Sequence, residues 1–554
     1  MPRTDVGTLV LHWTAAIACL ITLFTGLRLT ADAEGSVVIR SLSAILPEGE
    51  IWSWHFFAGL ALFFASSAYI VYMHRSGLKR RVALGKVRAL TLPAARKVKW
   101  GAVNVLLHWA LYGALLILTA TGVALYLGHG GWVVTVHSVT ALVTLGYIVV
   151  HVVGHYGYGG WQQLLRVFRP AALVPSIATR PLPLLIGSLV GLIVAGALAA
   201  LDLGTRDSLT VRTVTKAPTL DGRLDETEWR VAPRVFVRTQ QGSNLGGTGE
   251  STVEVRAIKD DRNVYFAFRW EDPNRSLMRL PMIKREDGWH LLHNAADIAD
   301  ETAYYEDKFA ILFSRFDGFG SGGTTHMGPK PLAGAPGALN SRGLHYTADG
   351  ALADMWQWKA SRGGLLGYVD DMHIGPPKPS NADQRAGTGR YSAGYDSDPG
   401  KAFYVYNYLP EPPGGFRGPI KLRRLPKDWQ ATQAKLGTIT LDVNASNDES
   451  SQWWMFEHET VPYSAEVDAT IPVGTVIPGV LIMGEYTGDR AEVRGNARWE
   501  NGYWTLEMTR SLKTGSSYDI DFAPGVELYM WVAVFDHNQT RHTRHARPVK
   551  LRFE

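Results

Sequence analysis

His137-Ser-Val-Thr-Ala-Leu-Val-Thr-Leu-Gly-Tyr-Ile-Val-Val-His151 sets two histidines 14 residues apart in an unbroken apolar run. At about 100° per residue the second returns to nearly the same helix face as the first. At about 1.5 Å rise the two lie roughly 21 Å apart along the axis. One such helix offers an imidazole near each surface of a hydrocarbon core about 30 Å thick. An ionisable side chain inside an apolar helix is costly, and its default reading is functional.

Working outward, five stretches are long enough to cross a bilayer, near 7–29, 52–74, 102–127, 132–155 and 181–203. Residues 75–99 carry nine Lys and Arg and no acid, which predicts a cytoplasmic loop; Arg166, Arg169 and Arg180 agree with it. The mostly acidic 32–50 loop then falls outside, the N-terminus is cytoplasmic, and an odd number of spans delivers residues 205–554 to the outer face. Charge divides at the same place: residues 1–204 carry +9 and the remainder −4, within a chain of net charge +5. The basic pI near 9.0 is thus a topology signal and implies no nucleic-acid partner.

The expected spans hold His12 in the first, His55 and His74 in the second, His108 in the third, and His137, His151 and His155 in the fourth. His12 and His151 belong to the cytoplasmic level, His55 and His137 to the outer one. Neutral imidazole is an ordinary axial ligand of haem iron, so two bis-histidine haems stacked across the membrane follow. A lone histidine could equally be an interfacial or helix–helix hydrogen-bonding residue; four at two levels, two in register on one helix, favour haem. His74 and His155 sit at cytoplasmic helix ends, where solvation suffices. Leu107-His108-Trp109 echoes Leu11-His12-Trp13, and each is followed by a Thr-Gly (Thr25-Gly26, Thr121-Gly122). This internal duplication leaves His108 competing with His12 at the cytoplasmic level.

The single cysteine, Cys19, excludes disulfides within the chain, thiolate-held iron–sulfur clusters and covalent C-x-x-C-H haem attachment. The first apolar run lacks a small-residue cleavage site, so no cleaved signal peptide is expected.

The histidine pattern over roughly residues 5–160 resembles the di-haem cytochrome b subunits of formate dehydrogenase and nickel–iron hydrogenase, and the bacterial 561-nm cytochromes b. Those families use one histidine on the first helix, one on the second and two on the fourth. The resemblance implies the pairs His12 with His151 and His55 with His137, haem b as cofactor, and quinone exchange near one haem. It also implies a respiratory-chain electron-transport role in the bacterial inner membrane. The fifth helix, with Gly187, Gly191 and Gly196, reads as a tether able to pack closely.

Beyond a polar linker at 205–215, the sequence reads as β-rich. Thr252–Ala257 and Asn263–Trp270 alternate around Asp260-Asp261-Arg262 as a hairpin should. Further strands are expected at Lys308–Ser314, Ala353–Ala360, Gly437–Val443, Trp504–Arg510 and Glu527–Phe535. Pro/Gly-rich stretches at 328–344 and 374–419 read as functional insertions or covers. The expected class is α + β and multidomain. A transmembrane four-helix di-haem bundle fills 1–160, a cytoplasmic loop and tethering helix 161–204, and a β-sandwich-like extracytoplasmic domain 205–554.

Leu220-Asp-Gly-Arg-Leu-Asp-Glu-Thr-Glu-Trp229 resembles the opening of family-nine carbohydrate-binding modules. Tyr305-Glu-Asp-Lys-Phe-Ala-Ile-Leu-Phe313, His326-Met-Gly328 and Asp354-Met-Trp-Gln-Trp-Lys-Ala360 resemble the haem-binding γ subunit of ethylbenzene dehydrogenase. That family holds a b-type haem between methionine and lysine and passes electrons from a molybdenum enzyme. The resemblance implies Met327 as one ligand. The lysine would fall near His545, which is expected to replace it, with His542 and His537 as alternatives. Lys359 is accounted for as a cation packed over indoles.

Together these readings favour an electron-transfer subunit over a stand-alone catalyst. It would link quinone/quinol through two membrane haems and a third, outer haem to a periplasmic c-type cytochrome or molybdenum oxidoreductase. Two rivals differ at the outer domain: a ligand-binding, carbohydrate-like module without haem, or a self-contained haem reductase with an open axial position.

Overall fold

The computed structural model describes residues 4–31, 39, 41–42, 44–47, 51–169, 181–245, 249–295, 300–318, 336, 344–347, 350–386, 391–409, 416, 418–440 and 442–554. They form two compact units, Met1–Tyr126 with Trp132–Arg206, and Leu127–Gly131 with Asp207–Glu554.

Among its described residues the first unit holds five helices long and apolar enough to cross a membrane: α1 (Val6–Ala31), α2 (Ile51–Arg75), α3 (Arg96–Tyr126), α4 (Trp132–Leu164) and α5 (Pro181–Gly204). Their outward faces expose Leu116, Val149, Leu185 and Ile193, the surface that a lipid solvent favours. Helix α1 pairs with α2 and α3 with α4, and the two hairpins approach each other at few places. Helix α5 lies along α2, and there the tether reading needs correcting. A Cβ on Gly187 would come within 2.7 Å of the Ala68 carbonyl, and one on Gly191 within 2.8 Å of the Phe64 carbonyl. The small residues let two backbones touch, so the unit is a five-helix assembly and no clean four-helix bundle. Tyr126 also donates to Asp202, at 2.7 Å, joining α3 to α5.

The second unit is built on twelve strands: β1 (Ser208–Thr213), β2 (Arg234–Thr239), β3 (Ser251–Lys259), β4 (Asn263–Glu271), β5 (Lys308–Ser314), β6 (Ala353–Lys359), β7 (Asp370–Ile374), β8 (Tyr395–Ser397), β9 (Arg494–Glu500), β10 (Tyr503–Ser511), β11 (Leu528–Phe535) and β12 (Val549–Phe553). They form one mixed sheet in the order β8-β7-β6-β5-β11-β12-β1-β3-β4-β10-β9, with β2 also on β3. Strand β1 runs parallel to both β12 and β3. The supposed linker at 205–215 is therefore the strand that joins the two antiparallel halves. Its alternating burial spans only six residues, too short to stand out in the sequence.

Phe266 of β4 packs on Phe313 of β5 and Trp356 of β6, with ring centroids 5.3 and 5.8 Å apart, and Trp270 stacks on Phe309 at 4.7 Å. These strands are distant in sheet order, so the sheet curls over a single aromatic core as a half-barrel, where two stacked sheets were expected. The strand expected at Gly437–Val443 is absent among the described residues. Gly437, at φ +72°, closes the helix Trp429–Leu436 instead.

Two family-like motifs have structural duties. The Leu220-Asp-Gly turn and Trp229 converge on buried Glu507 of β10, which accepts from Asp221 N–H at 3.0 Å, Gly222 N–H at 2.8 Å and Trp229 Nε1–H at 2.7 Å. Lys359 lies over no indole: its ammonium pairs with the Asp370 carboxylate. Asp370 also accepts from Arg490 Nε at 2.7 Å and Tyr404 Oη at 2.9 Å. Burial alone would raise the Asp370 pKa, but Lys359 and Arg490 hold it well below the usual carboxylate range. A depressed carboxylate stabilises the fold above its ordinary pKa, and that contribution is lost as pH falls through the depressed value. Asp370→Asn leaves buried Lys359 and half-buried Arg490 without their carboxylate and is expected to cost about 3–5 kcal/mol. Chemical denaturation at pH 7 checks this, and the difference from wild type should shrink only at strongly acid pH.

Candidate functional site

In the membrane unit the histidines gather at two depths. His55 of α2 and His137 of α4 face each other across the hairpins, ring centroids 6.3 Å apart. Each ring is fixed in the same way. Thr25 donates its hydroxyl proton to the Ile21 carbonyl at 2.7 Å, and its oxygen lies 2.9 Å from His55 Nδ1. Thr121 donates to the Ile117 carbonyl at 2.6 Å and lies 2.8 Å from His137 Nδ1. With the hydroxyl proton committed, each threonine accepts from Nδ1–H, and the Nε2 lone pair is left free. The neighbouring glycines make the room: a Cβ on Gly26 would sit 3.3 Å from His55 Cε1, and one on Gly122 3.4 Å from His137 Cε1. The duplicated Thr-Gly is thus a matched pair of imidazole holders.

The other half of the duplication also has a structural use. Trp13 Nε1 donates to the Val167 carbonyl and Trp109 Nε1 to the Val82 carbonyl, both at 3.0 Å. Each indole ties its helix to a neighbouring loop.

The second depth is more crowded. His151 meets His108 at 5.5 Å and His155 at 4.5 Å between centroids, and His108 lies 6.4 Å from His155. His108 Nδ1–H donates to the Asn104 carbonyl at 2.6 Å, so its Nε2 is also free. His151 Nδ1 lies 3.0 Å from the Tyr147 hydroxyl. His155 Nδ1 accepts from Gln163 at 3.4 Å, the reverse polarity. His12 meets Trp13 edge-on at 5.9 Å and makes no ring contact with another histidine among the described residues. The structure therefore clusters His151 with His108 and His155, and His12 lies within electrostatic reach of all three.

The same polarity test sorts the outer histidines. His545 is buried, and its Nδ1 accepts from the Val532 N–H at 3.2 Å. Burial first, then Arg547, pushes its pKa down to about 3, so it is neutral with its proton on Nε2. His542 is the opposite case. Its Nδ1–H donates to the Thr543 carbonyl at 2.7 Å, and its ring lies 4.8 Å from Phe535. His537 is tied to Asp536, Nδ1 to Oδ1, at 2.5 Å. Met327 lies outside the described residues.

Sequence reading missed Thr25, Thr121, Asn104 and Tyr147 as partners. The repeated Thr-Gly was the available signal, but a repeat alone does not say which ring it holds.

Comparison with known proteins agrees with this division. The family model described as Ethylbenzene dehydrogenase matches residues 226–547, and the one described as Prokaryotic cytochrome b561 matches residues 3–170. No curated protein matches the chain. Among solved structures, a family-nine carbohydrate-binding module from Caldicellulosiruptor kristjanssonii in complex with glucose is 8% identical, covering 62% of this chain and 95% of its own, at TM-score 0.22. The same kind of module from that organism with cellotriose is 9% identical, covering 63% and 93%, at TM-score 0.21. The chain belongs to the ethylbenzene dehydrogenase family, its haem-binding domain following a membrane domain of prokaryotic cytochrome b561 type.

Proposed function

We propose that the chain carries electrons between the quinone pool and an extracytoplasmic redox partner, using two haem b groups in the helices and a third in the sheet unit. The observation that carries this is the pair His55 and His137, each with Nδ1–H committed to a threonine and Nε2 free. Two metal–nitrogen bonds of about 2 Å each plus the ring radii span roughly 6 Å, which fits their 6.3 Å centroid separation. Second-group hydrogen bonds of this polarity fix ring orientation and raise ligand basicity. Haem supplies a one-electron carrier that needs no proton at the iron.

At the other depth His151 is the ligand from α4. The family pattern gives it His12; a second reading gives it His108, favoured by the 5.5 Å ring contact and the free Nε2. A quinone would exchange electrons near this crowded depth, where Tyr147 and His155 offer a hydroxyl and an imidazole for proton handling.

For the outer haem, Met327 remains the proposed methionine ligand. His545 and His542 are the candidate partners; Nδ1–H of His542 donates to a carbonyl whereas Nδ1 of His545 accepts from an amide, a polarity that favours His542. The abundance of Lys and Arg in 75–99 supports a cytoplasmic loop and hence a periplasmic sheet unit. The partner would then be a periplasmic c-type cytochrome or molybdenum oxidoreductase.

Two experiments follow. Thr121→Val keeps shape but removes the acceptor for His137 Nδ1–H. It should weaken retention of one membrane haem about 10–100-fold and leave the other in place, read by haem content after detergent washing. For the outer centre, His542→Ala should abolish one six-coordinate low-spin signal that His545→Ala retains. Loss in His545→Ala alone would restore His545 as the ligand, and loss in neither would leave the sheet unit as a ligand-binding module.

A further inference from the structure

The Tyr305-Glu306-Asp307-Lys308 motif stands at the head of β5, and around its tyrosine the sheet unit buries more positive charge than it balances. The guanidinium carbons of Arg279 and Arg362 lie 4.7 and 5.6 Å from the Tyr305 ring centre, and Lys308 Nζ lies 5.0 Å from it. The short strand Tyr404–Tyr406 extends the cluster. Arg279 lies 4.4 Å from the Tyr406 ring, and Arg362 Nη1 donates to the Tyr406 hydroxyl at 3.1 Å. Lys359 Nζ and Arg490 Nη2 reach the Tyr404 hydroxyl at 3.5 and 3.3 Å. Asp307 turns away from all of these, accepting from Ser276 N–H, Trp504 Nε1–H and His537 N–H.

Two carboxylates serve these five cations. Glu306 pairs with Arg362 and accepts from the Ser361 hydroxyl and N–H at 2.7 Å each. Asp370 pairs with Lys359 and Arg490. Arg279 and Lys308 pair with no carboxylate among the described residues. Lys308 donates to the Gln539 carbonyl at 2.6 Å. Arg279 reaches only the Tyr408 hydroxyl, 3.4 Å from Nη1 and 3.5 Å from Nη2, and its Nε–H has no acceptor among the described residues. This side chain is 4% exposed and cannot shed its proton, so the uncompensated charge is costly. The excess shows at half-buried Tyr406. Burial alone would raise its phenol, but Arg362, Arg279 and Lys359 pull it down to about 7.

The chain meets the same demand twice nearby with a carboxylate, at Glu306 and at Asp370. A guanidinium edge matches a planar carboxylate through two parallel N–H bonds. We infer that Arg279, beside Tyr408 and Tyr406, receives a carboxylate supplied from outside the chain. Two sources carry that chemistry: a small dicarboxylate from solution, and a propionate of the outer haem, the latter resting on the function proposed above. Phe535 brings the cluster beside a candidate ligand of that haem, with Lys308 Nζ 4.1 Å over its ring and the His542 ring 4.8 Å away.

The test uses the purified full-length protein in detergent. Succinate is titrated by calorimetry, and haem content and redox midpoints are read in parallel, for wild type, Arg279→Gln and Arg279→Lys. Uptake of one succinate per wild-type chain, weakened at least tenfold in the variants, gives the solution source. No succinate uptake gives the propionate source if the variants lose, or lower the midpoint of, the one haem that His137→Ala and His151→Ala both retain. A wild-type chain with only two haems removes the propionate source and leaves the succinate arm standing, so failure of the outer haem reads separately. Arg279→Lys keeps the buried charge without the two-pronged edge, and it decides if Arg279→Gln fails to fold. No succinate uptake together with unchanged haem content and midpoints in Arg279→Lys overturns the site. Equal succinate uptake by wild type and Arg279→Lys overturns it as well.

Discussion

The polarity of one hydrogen bond at imidazole Nδ1 organises what this chain can do. A histidine whose Nδ1–H is donated away presents Nε2 as a lone pair; one whose Nδ1 accepts presents Nε2–H and is no ligand in that state. Thr25 and Thr121 enforce the first state on His55 and His137 because each hydroxyl proton is already spent on its own helix. Backbone carbonyls do the same for His108 and His542, whereas a backbone amide does the reverse to His545. The apolar surroundings make this selection firm, since an unsatisfied imidazole proton there has no water to turn to.

The rest of the membrane unit serves that constraint. Holding the His55 and His137 rings 6.3 Å apart requires the hairpins to stay apart at that depth and yet be fixed elsewhere. Helix α5 supplies one clamp through Gly187 and Gly191 on α2, and the two indole-to-carbonyl bonds of Trp13 and Trp109 supply others. The sheet unit meets a different demand. Its curl buries aromatic rings from distant strands in one core, and the charged groups displaced to the margins are paired, as in Lys359–Asp370–Arg490, or gathered in acidic clusters.

Much of this was legible in the sequence. The five helices follow from apolar length, and the two-depth arrangement from the 14-residue histidine spacing. The β3–β4 hairpin follows from alternation around Asp260, whose side chain accepts from Arg262 and Asn263 N–H at 2.7 Å each. Strand β9 was missed although Asn501-Gly502, both at positive φ, marks its turn into β10. Its mixed polar burial hid the alternation. The sheet's curl was not readable, because it depends on ring contacts between strands far apart in sheet order. Nor was the polarity at Nδ1, which depends on a hydroxyl from another helix or on backbone geometry.

The most direct measurement of the two-depth arrangement is haem per chain in the purified full-length protein, compared among wild type, His137→Ala and His151→Ala. The expected result is that each substitution removes one haem and leaves the other membrane haem low-spin. Full haem retention in both variants, or loss of both membrane haems from either one with the fold intact, would contradict ligation by separate histidine sets at two depths.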